Sequence, residues 1–193
     1  MILLAALLVG VTVGWLFARW QKYRWTFPSL DGLWLVMLAF LPQGVSFYLP
    51  ATRTHIPDAL ASAGLVASQS LLLVFCWCNR RVPGIWLMAL GTACNLTVIL
   101  ANGGFMPISP ETASRLVSAE TLEALTVGSR FGYGKDILLL PEQTRLAWLS
   151  DAFLLPEGSP YQVAFSVGDI LVGAGAFWLA AFAGRLEARK NSI

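Results

Sequence analysis

Asp169 is the residue in this sequence best placed for acid–base or ion chemistry. It sits in the run Phe165, Ser166, Val167, Gly168, Asp169, one turn into an apolar stretch. An ionisable group at membrane depth is by default a functional candidate. The spacing has a second meaning, because Ser166 and Asp169 stand as in a capping box, where the serine caps a helix and the acid reaches back to its first amide. Both readings stay open at this level. Thr92, Asn95 and Asn102 are separated by three and seven positions and fall on one helix face. Polar groups there hydrogen-bond between helices or line a substrate path, and glue between helices is the more ordinary use. Asn102, Gly103, Gly104, Phe105, Met106 and Pro107 follow as that helix ends. Such a turn exposes backbone N–H groups and the Asn102 amide to a ligand or partner segment, or it simply stops the helix, as glycine past the last turn and proline soon after commonly do. If the two helices concerned are neighbours, Asn102 and Asp169 converge on one mouth.

Other chemistries find little support. His55 is the single histidine, so a metal or haem site needing two imidazoles is excluded. Cys76 and Cys78 point to different faces of a helix and chelate poorly; with Cys94 they make an odd count inside apolar segments, where no disulfide framework is readable. Gly132, Tyr133, Gly134 and Asp136 look superficially like a potassium filter, but Ser129, Arg130 and Phe131 interrupt what should be contiguous carbonyls after a pore helix. The same glycines miss the phosphate-loop spacing. No nucleophile elbow accompanies any serine, and no cofactor is implied.

What must position these residues is a membrane bundle. The chain has 193 residues, 56% hydrophobic and only 12% charged, against about a quarter charged in an ordinary soluble domain. Its mean hydropathy is +0.66. Polar residues are too few to cover a soluble fold, so the bilayer is the expected solvent. A net charge of +2 leaves no basic patch for nucleic acid. Stretches near 2–18, 33–49, 59–78, 84–101 and 166–184 each approach the about 20 apolar residues that cross a bilayer. Pro42 predicts a bend near Gln43 and Gly44. The first stretch has no basic leader and ends on Arg19 and Trp20 in place of a cleavage site, so it reads as a retained helix.

Orientation follows from lysine and arginine. Arg19, Lys22 and Arg24 follow the first stretch, Arg80 and Arg81 the third, and Arg185, Arg189 and Lys190 the fifth, whereas the link after the second carries only Arg53 and His55. Positive charge stays in the cytoplasm. The expectation is therefore an all-α polytopic bundle of about five transmembrane helices, a single membrane domain over 1–193 in a bacterial inner membrane, with its N-terminus outside and its C-terminus cytoplasmic. Trp20, Trp25, Trp34, Trp77 and Trp86 form an interfacial belt at the cytoplasmic ends.

Residues 102–165 then form a long, partly helical extracytoplasmic segment. Ser109 before Pro110 and Glu111 predicts a short helix, and Ser118 with Glu120 a second. Leu116, Val117, Leu122 and Leu125 give an apolar stripe for the membrane surface or the bundle. Val127 to Gly134 reads as loop, and Trp148 to Leu155 as another short apolar helix or interfacial piece.

At Asn102–Pro107 and at Phe165–Asp169 the chain resembles a family of small bacterial membrane proteins known as a domain of unknown function, with an Asn-Gly-Gly-x-Met-Pro turn after one helix and a Phe-Ser-x-Gly-Asp start to the last. The resemblance implies a shared status for Asn102, Gly103, Gly104, Met106, Pro107, Ser166, Gly168 and Asp169, and no activity. The absence of catalytic pairs makes a non-catalytic accessory, assembly or binding subunit of a membrane complex the leading expectation, with the bilayer and other subunits or a homo-oligomer as partners. The alternative is a membrane enzyme or small transporter acting around Asn102 and Asp169, for which five helices without an inverted repeat are few.

Overall fold

The computed structural model describes residues 2–156, 158–159 and 162–183. Gly184, Arg185, Arg189 and Lys190, which bear on the end of the last helix and its charge, lie outside the described residues. The chain is mostly helical. Helix α1 spans Ile2–Trp20, α2 Leu33–Gln43, α3 Pro50–Arg53, α4 Asp58–Cys78 and α5 Ile85–Ala101. A cap of short elements follows: strand β1 (Met106–Ile108), helices α6 (Pro110–Ser114) and α7 (Ala119–Glu123), then strands β2 (Asp136–Leu138), β3 (Phe153–Leu154) and β4 (Ala164–Phe165). Helix α8, Val167–Trp178, continues as a π-helical turn over Leu179–Ala183.

Helices α1 and α4 are each long and apolar enough to cross a membrane, and Leu33–Tyr48, Ile85–Ala101 and Val167–Phe182 are shorter apolar helices. Pro42 sits inside α2, just before the end of its α-helical part. Lacking an N–H and crowding the carbonyl four residues back, it is followed by a π-helical turn over Gly44–Tyr48 in which Leu49 N–H reaches the Gly44 carbonyl.

The helices stand in the order α1, α8, α5, α4, α2. Packing between α5 and α8 depends on glycines seven apart on each helix: Gly84 faces Gly175, and Gly91 faces Gly168. A Cβ on Gly175 would come within 2.6 Å of the Gly84 carbonyl oxygen. Small residues at such positions let two helix backbones approach closely, which is how α5 and α8 pack here. Meanwhile the outer faces of the helices carry large apolar side chains open to the surroundings, such as Leu8, Met37, Phe40, Leu60, Leu90 and Trp178.

Each end of the bundle is tied by a buried asparagine that caps a helix. Asn79, after α4, accepts from Asp31 N–H and donates to the Asp31 carbonyl, both at 2.8 Å. Asn102, after α5, does the same to Arg145 at 2.9 Å and also donates to the Val98 carbonyl. Between the cap and the bundle lies a shared core of Phe47, Ala61, Leu65, Val98, Ile99, Phe105, Met106 and Leu149.

Inside the cap, β1 runs parallel to β2 with Met106 opposite Asp136. Ser109 and Ser118 cap α6 and α7 through the N–H groups of Thr112 and Thr121. Of the apolar stripe, Leu116, Leu122 and Leu125 pack on Ile108, Ala113 and Leu138, so the cap covers that face with its own residues. Each fully buried Ile or Leu there stabilises by about 1.5–3 kcal/mol relative to exposure. The stretch from Trp148 differs from expectation: it forms a 3-10 turn at Ala147–Leu149 and then β3, because Ser150 and the β3–β4 pairing take up backbone groups a helix would need. Trp25 differs from the other four tryptophans near the helix ends. Its indole packs at Gly14 and donates to the Ala180 carbonyl at 3.2 Å, whereas Trp20, Trp34, Trp77 and Trp86 are exposed.

Candidate functional site

The candidate site is built on α5 and α8, where the bundle meets the cap. Ser166 is the N-cap of α8, its hydroxyl accepting from Asp169 N–H at 3.1 Å while Asp169 Oδ2 accepts from Ser166 N–H at 3.1 Å. The capping box is complete. Across the helix seam, Asn95 Nδ2 donates to Asp169 Oδ1 at 3.0 Å and Ser166 Oγ donates to Asn95 Oδ1 at 2.9 Å. Asp169 thus caps its own helix with one oxygen and bonds α5 with the other. Gly168 makes this possible, since a Cβ there would collide with the Asn95 amide and the Gly91 carbonyl.

Asn95, not Asn102, is the partner of Asp169. The Asn102 amide is spent on Val98 and Arg145, and Gly103 and Gly104 act as a helix stop: both have positive φ, and Gly104 N–H closes back on the Ile99 carbonyl at 2.9 Å. Met106 and Pro107 have a positioning role. Met106 N–H donates to the Lys135 carbonyl at 3.0 Å, and the Pro107 carbonyl accepts from Asp151 N–H at 3.1 Å. Proline has no N–H to give, and β1 asks it only for its carbonyl.

That backbone pairing brings together Lys135, Asp136 and Asp151, three residues that in the sequence look like ordinary loop charges. Lys135 Nζ donates to Asp136 Oδ1 at 3.1 Å and to Asp151 Oδ2 in a short contact. Lys135 is the only lysine between Asn102 and Phe165, in a chain poor in charge, and that scarcity is the one signal that marks it. Asp151 is 1% exposed, and among the described residues its Oδ1 has no hydrogen-bond partner. Asp169 is close enough for its charge to act on both Lys135 and Asp151.

One ammonium therefore serves three carboxyl groups. Burial alone would favour neutral Lys135, but the carboxylates of Asp136, Asp151 and Asp169 outweigh it and raise its pKa above that of an ordinary lysine. Burial pushes the Asp151 carboxyl up to about 7, with Asp136 and Asp169 adding to the rise against the pull of Lys135. The two shifts are compatible: the surrounding carboxylates favour the charged ammonium, while burial of Asp151 favours its neutral form. Among the described residues no group of three or more His, Cys, Asp or Glu side chains is arranged to hold a metal ion.

The chain is 28% identical over 192 residues to an uncharacterised protein of Thermotoga maritima, a match covering 100% of this chain and 95% of that relative. No solved structure matches it. A family model described as "Family of unknown function (DUF5317)" matches residues 28–181, which includes α2 to α8, the cap and every residue of the charged cluster. This chain belongs to that family of unknown function.

Proposed function

We propose that this protein spans a bacterial inner membrane five times, with its N-terminus and the cap outside the cytoplasm, and acts at its extracytoplasmic mouth by proton-linked handling of a small polar solute. The observation that carries the reading is Asp151: a carboxyl 1% exposed, half-satisfied by Lys135 and held near neutrality. Buried ion pairs contribute little net stability compared with apolar packing, and titratable groups poised near 7 gather at working sites. The five spans are supported by the alternation of basic links and by the apolar surfaces of all five long helices. Leu116, Leu122 and Leu125 are covered by the cap itself, which weakens the reading as an accessory subunit that docks through this stripe.

A second reading keeps that accessory role through a different face. Leu146 and Trp148 are 38% and 66% exposed beside the Arg145 clamp and offer a rim for another chain. Extraction from the native membrane in mild detergent, followed by native mass spectrometry, decides between them. A monomer or homo-oligomer supports a self-contained protein. A different subunit at fixed stoichiometry, lost in Trp148→Ala, overturns it in favour of the accessory role.

A further inference from the structure

A different group of charges lies where the cap meets α2, α3 and α4, and it has the opposite imbalance. The Arg130 side chain is 7% exposed; its Nη1 lies 3.3 Å from Asp58 Oδ1, its Nη2 donates to the Arg53 carbonyl at 3.3 Å, and its Cζ sits 6.0 Å from the Phe47 ring centre. Buried Nη1 makes no hydrogen bond despite that ion pair. Arg53 has less. Its guanidinium lies 5.4 Å over the Tyr133 ring, its buried Nε has no hydrogen-bond partner, and among the described residues no carboxylate pairs with it. Arg130 thus has one acid, Asp58, whose side chain is 66% exposed and whose charge is largely screened by water, and Arg53 has none among the described residues.

Leaving a guanidinium without an anion in partly dry surroundings is costly, and its planar fork of donors matches a carboxylate or phosphate edge better than it matches water. We infer that Arg53 and Arg130 bind a phosphate-type oxyanion, with the Tyr133 ring as one wall of the site. Arg130 is fixed by its bond to the Arg53 backbone and by Phe47. Arg53 keeps its donors for the ligand. Under the five-pass reading this end lies at the depth of outer-leaflet headgroups, with Tyr48 and Leu60, each 62% exposed, alongside on the apolar surface. The phosphate then belongs either to a phospholipid of that leaflet or to a soluble phosphate ester. The inference takes the membrane placement from the reading above, but it does not involve the Asp151 cluster.

The test uses the full-length protein in detergent micelles, with phosphatidylglycerol and diacylglycerol of the same chains as lipid probes and inorganic phosphate as the soluble probe. Native mass spectrometry reads retained lipid and thermal unfolding reads phosphate protection, for wild type, Arg53→Gln and a cap control, Arg115→Gln. Wild type and the control should retain phosphatidylglycerol over diacylglycerol, with retention falling about tenfold in Arg53→Gln, as for loss of a charge-assisted contact. If inorganic phosphate protects wild type and not Arg53→Gln, the ligand is a soluble phosphate. Equal retention in wild type and Arg53→Gln, with no protection by phosphate in either, overturns the site. Arg53→Gln is expected to fold because that guanidinium makes no hydrogen bond among the described residues; should it not extract, Arg53→Lys keeps the charge, loses the fork and should show the same weakening. Because the phosphate arm needs no bilayer, a wrong topology and a wrong site give different results.

Discussion

Asn95 on α5 and Asp169 on α8, 74 positions apart in the chain, are joined by a 3.0 Å hydrogen bond from the amide nitrogen of one to a carboxylate oxygen of the other. Asn95 also accepts from α8 through Ser166, whose hydroxyl donates to its carbonyl oxygen at 2.9 Å. One side chain therefore satisfies both members of a helix cap on its neighbour, and the start of α8 is fixed to α5 at the level where the cap begins.

Asp169→Asn should reduce stability by about 1 kcal/mol or less, since asparagine also caps and can still accept from Asn95. Asp169→Ala should cost more, about 1–3 kcal/mol, because Asn95 Nδ2 then loses its acceptor in a dry setting. Thermal unfolding in detergent reads both. If Asp169→Asn keeps the fold but abolishes the protein's cellular effect, Asp169 also has a chemical role beyond capping.

Gly168 and Gly103 separate crowding from backbone strain. A methyl at Gly168 meets the Asn95 amide, so Gly168→Ala should separate α5 from α8 and cost at least about 1–3 kcal/mol, the usual range for overpacking. Gly103 has φ +79° and nothing within 4 Å of where a methyl would stand, so Gly103→Ala should cost only the left-handed strain, about 1–2 kcal/mol. Equal losses at the two sites would contradict the close crossing at Gly91 and Gly168.

Stability should fall as pH rises from about 4 toward 7, then level off. Asp151 has a folded pKa raised to about 7 from an ordinary 3.8, so the folded state binds its proton more tightly than the unfolded chain does. That contribution is fully present below the ordinary value and is lost as pH passes through the folded one. Lys135, raised above the ordinary lysine value, stays protonated in both states through this window and adds no slope. Melting temperatures across pH 4–8 check the prediction, and Asp151→Asn should flatten that part of the curve.

Lys135→Met should cost about 1–3 kcal/mol, since Lys135 is itself a third exposed and its loss leaves the buried Asp151 carboxyl without its hydrogen-bond donor. Adding Asp151→Leu to it should recover part of that loss, because the orphaned buried carboxyl goes with it. A double variant no more stable than Lys135→Met alone would mean that Lys135 and Asp151 are not energetically coupled.

The site was only half legible in the chain. Ser166 and Asp169 could be read as a capping box because helix caps are local, set by side chains three positions apart. Gly103 and Gly104 could be read as a stop for the same reason. Asn102 was open to two readings, a ligand-binding amide or part of a helix stop, and its clamp on Arg145 was not legible, since a lone asparagine does not reveal which distant backbone it will meet. Lys135 and Asp151 were invisible as a pair, because nothing in a loop sequence distinguishes a charge that stays in water from one that folds inward.

By itself the sequence determined the apolar helices, the break in regular α-helix after Pro42, the caps of α6, α7 and α8, and the family. These depend on composition and on neighbours within a few residues, where periodicity and capping chemistry act. Tertiary structure alone decided that Asn95 meets Asp169, that glycines on α5 and α8 face one another, and that β1 gathers Lys135 and Asp151 over the mouth. Those are contacts between distant segments, fixed by how closely two backbones can approach and by which buried polar atoms still need partners once the helices have packed.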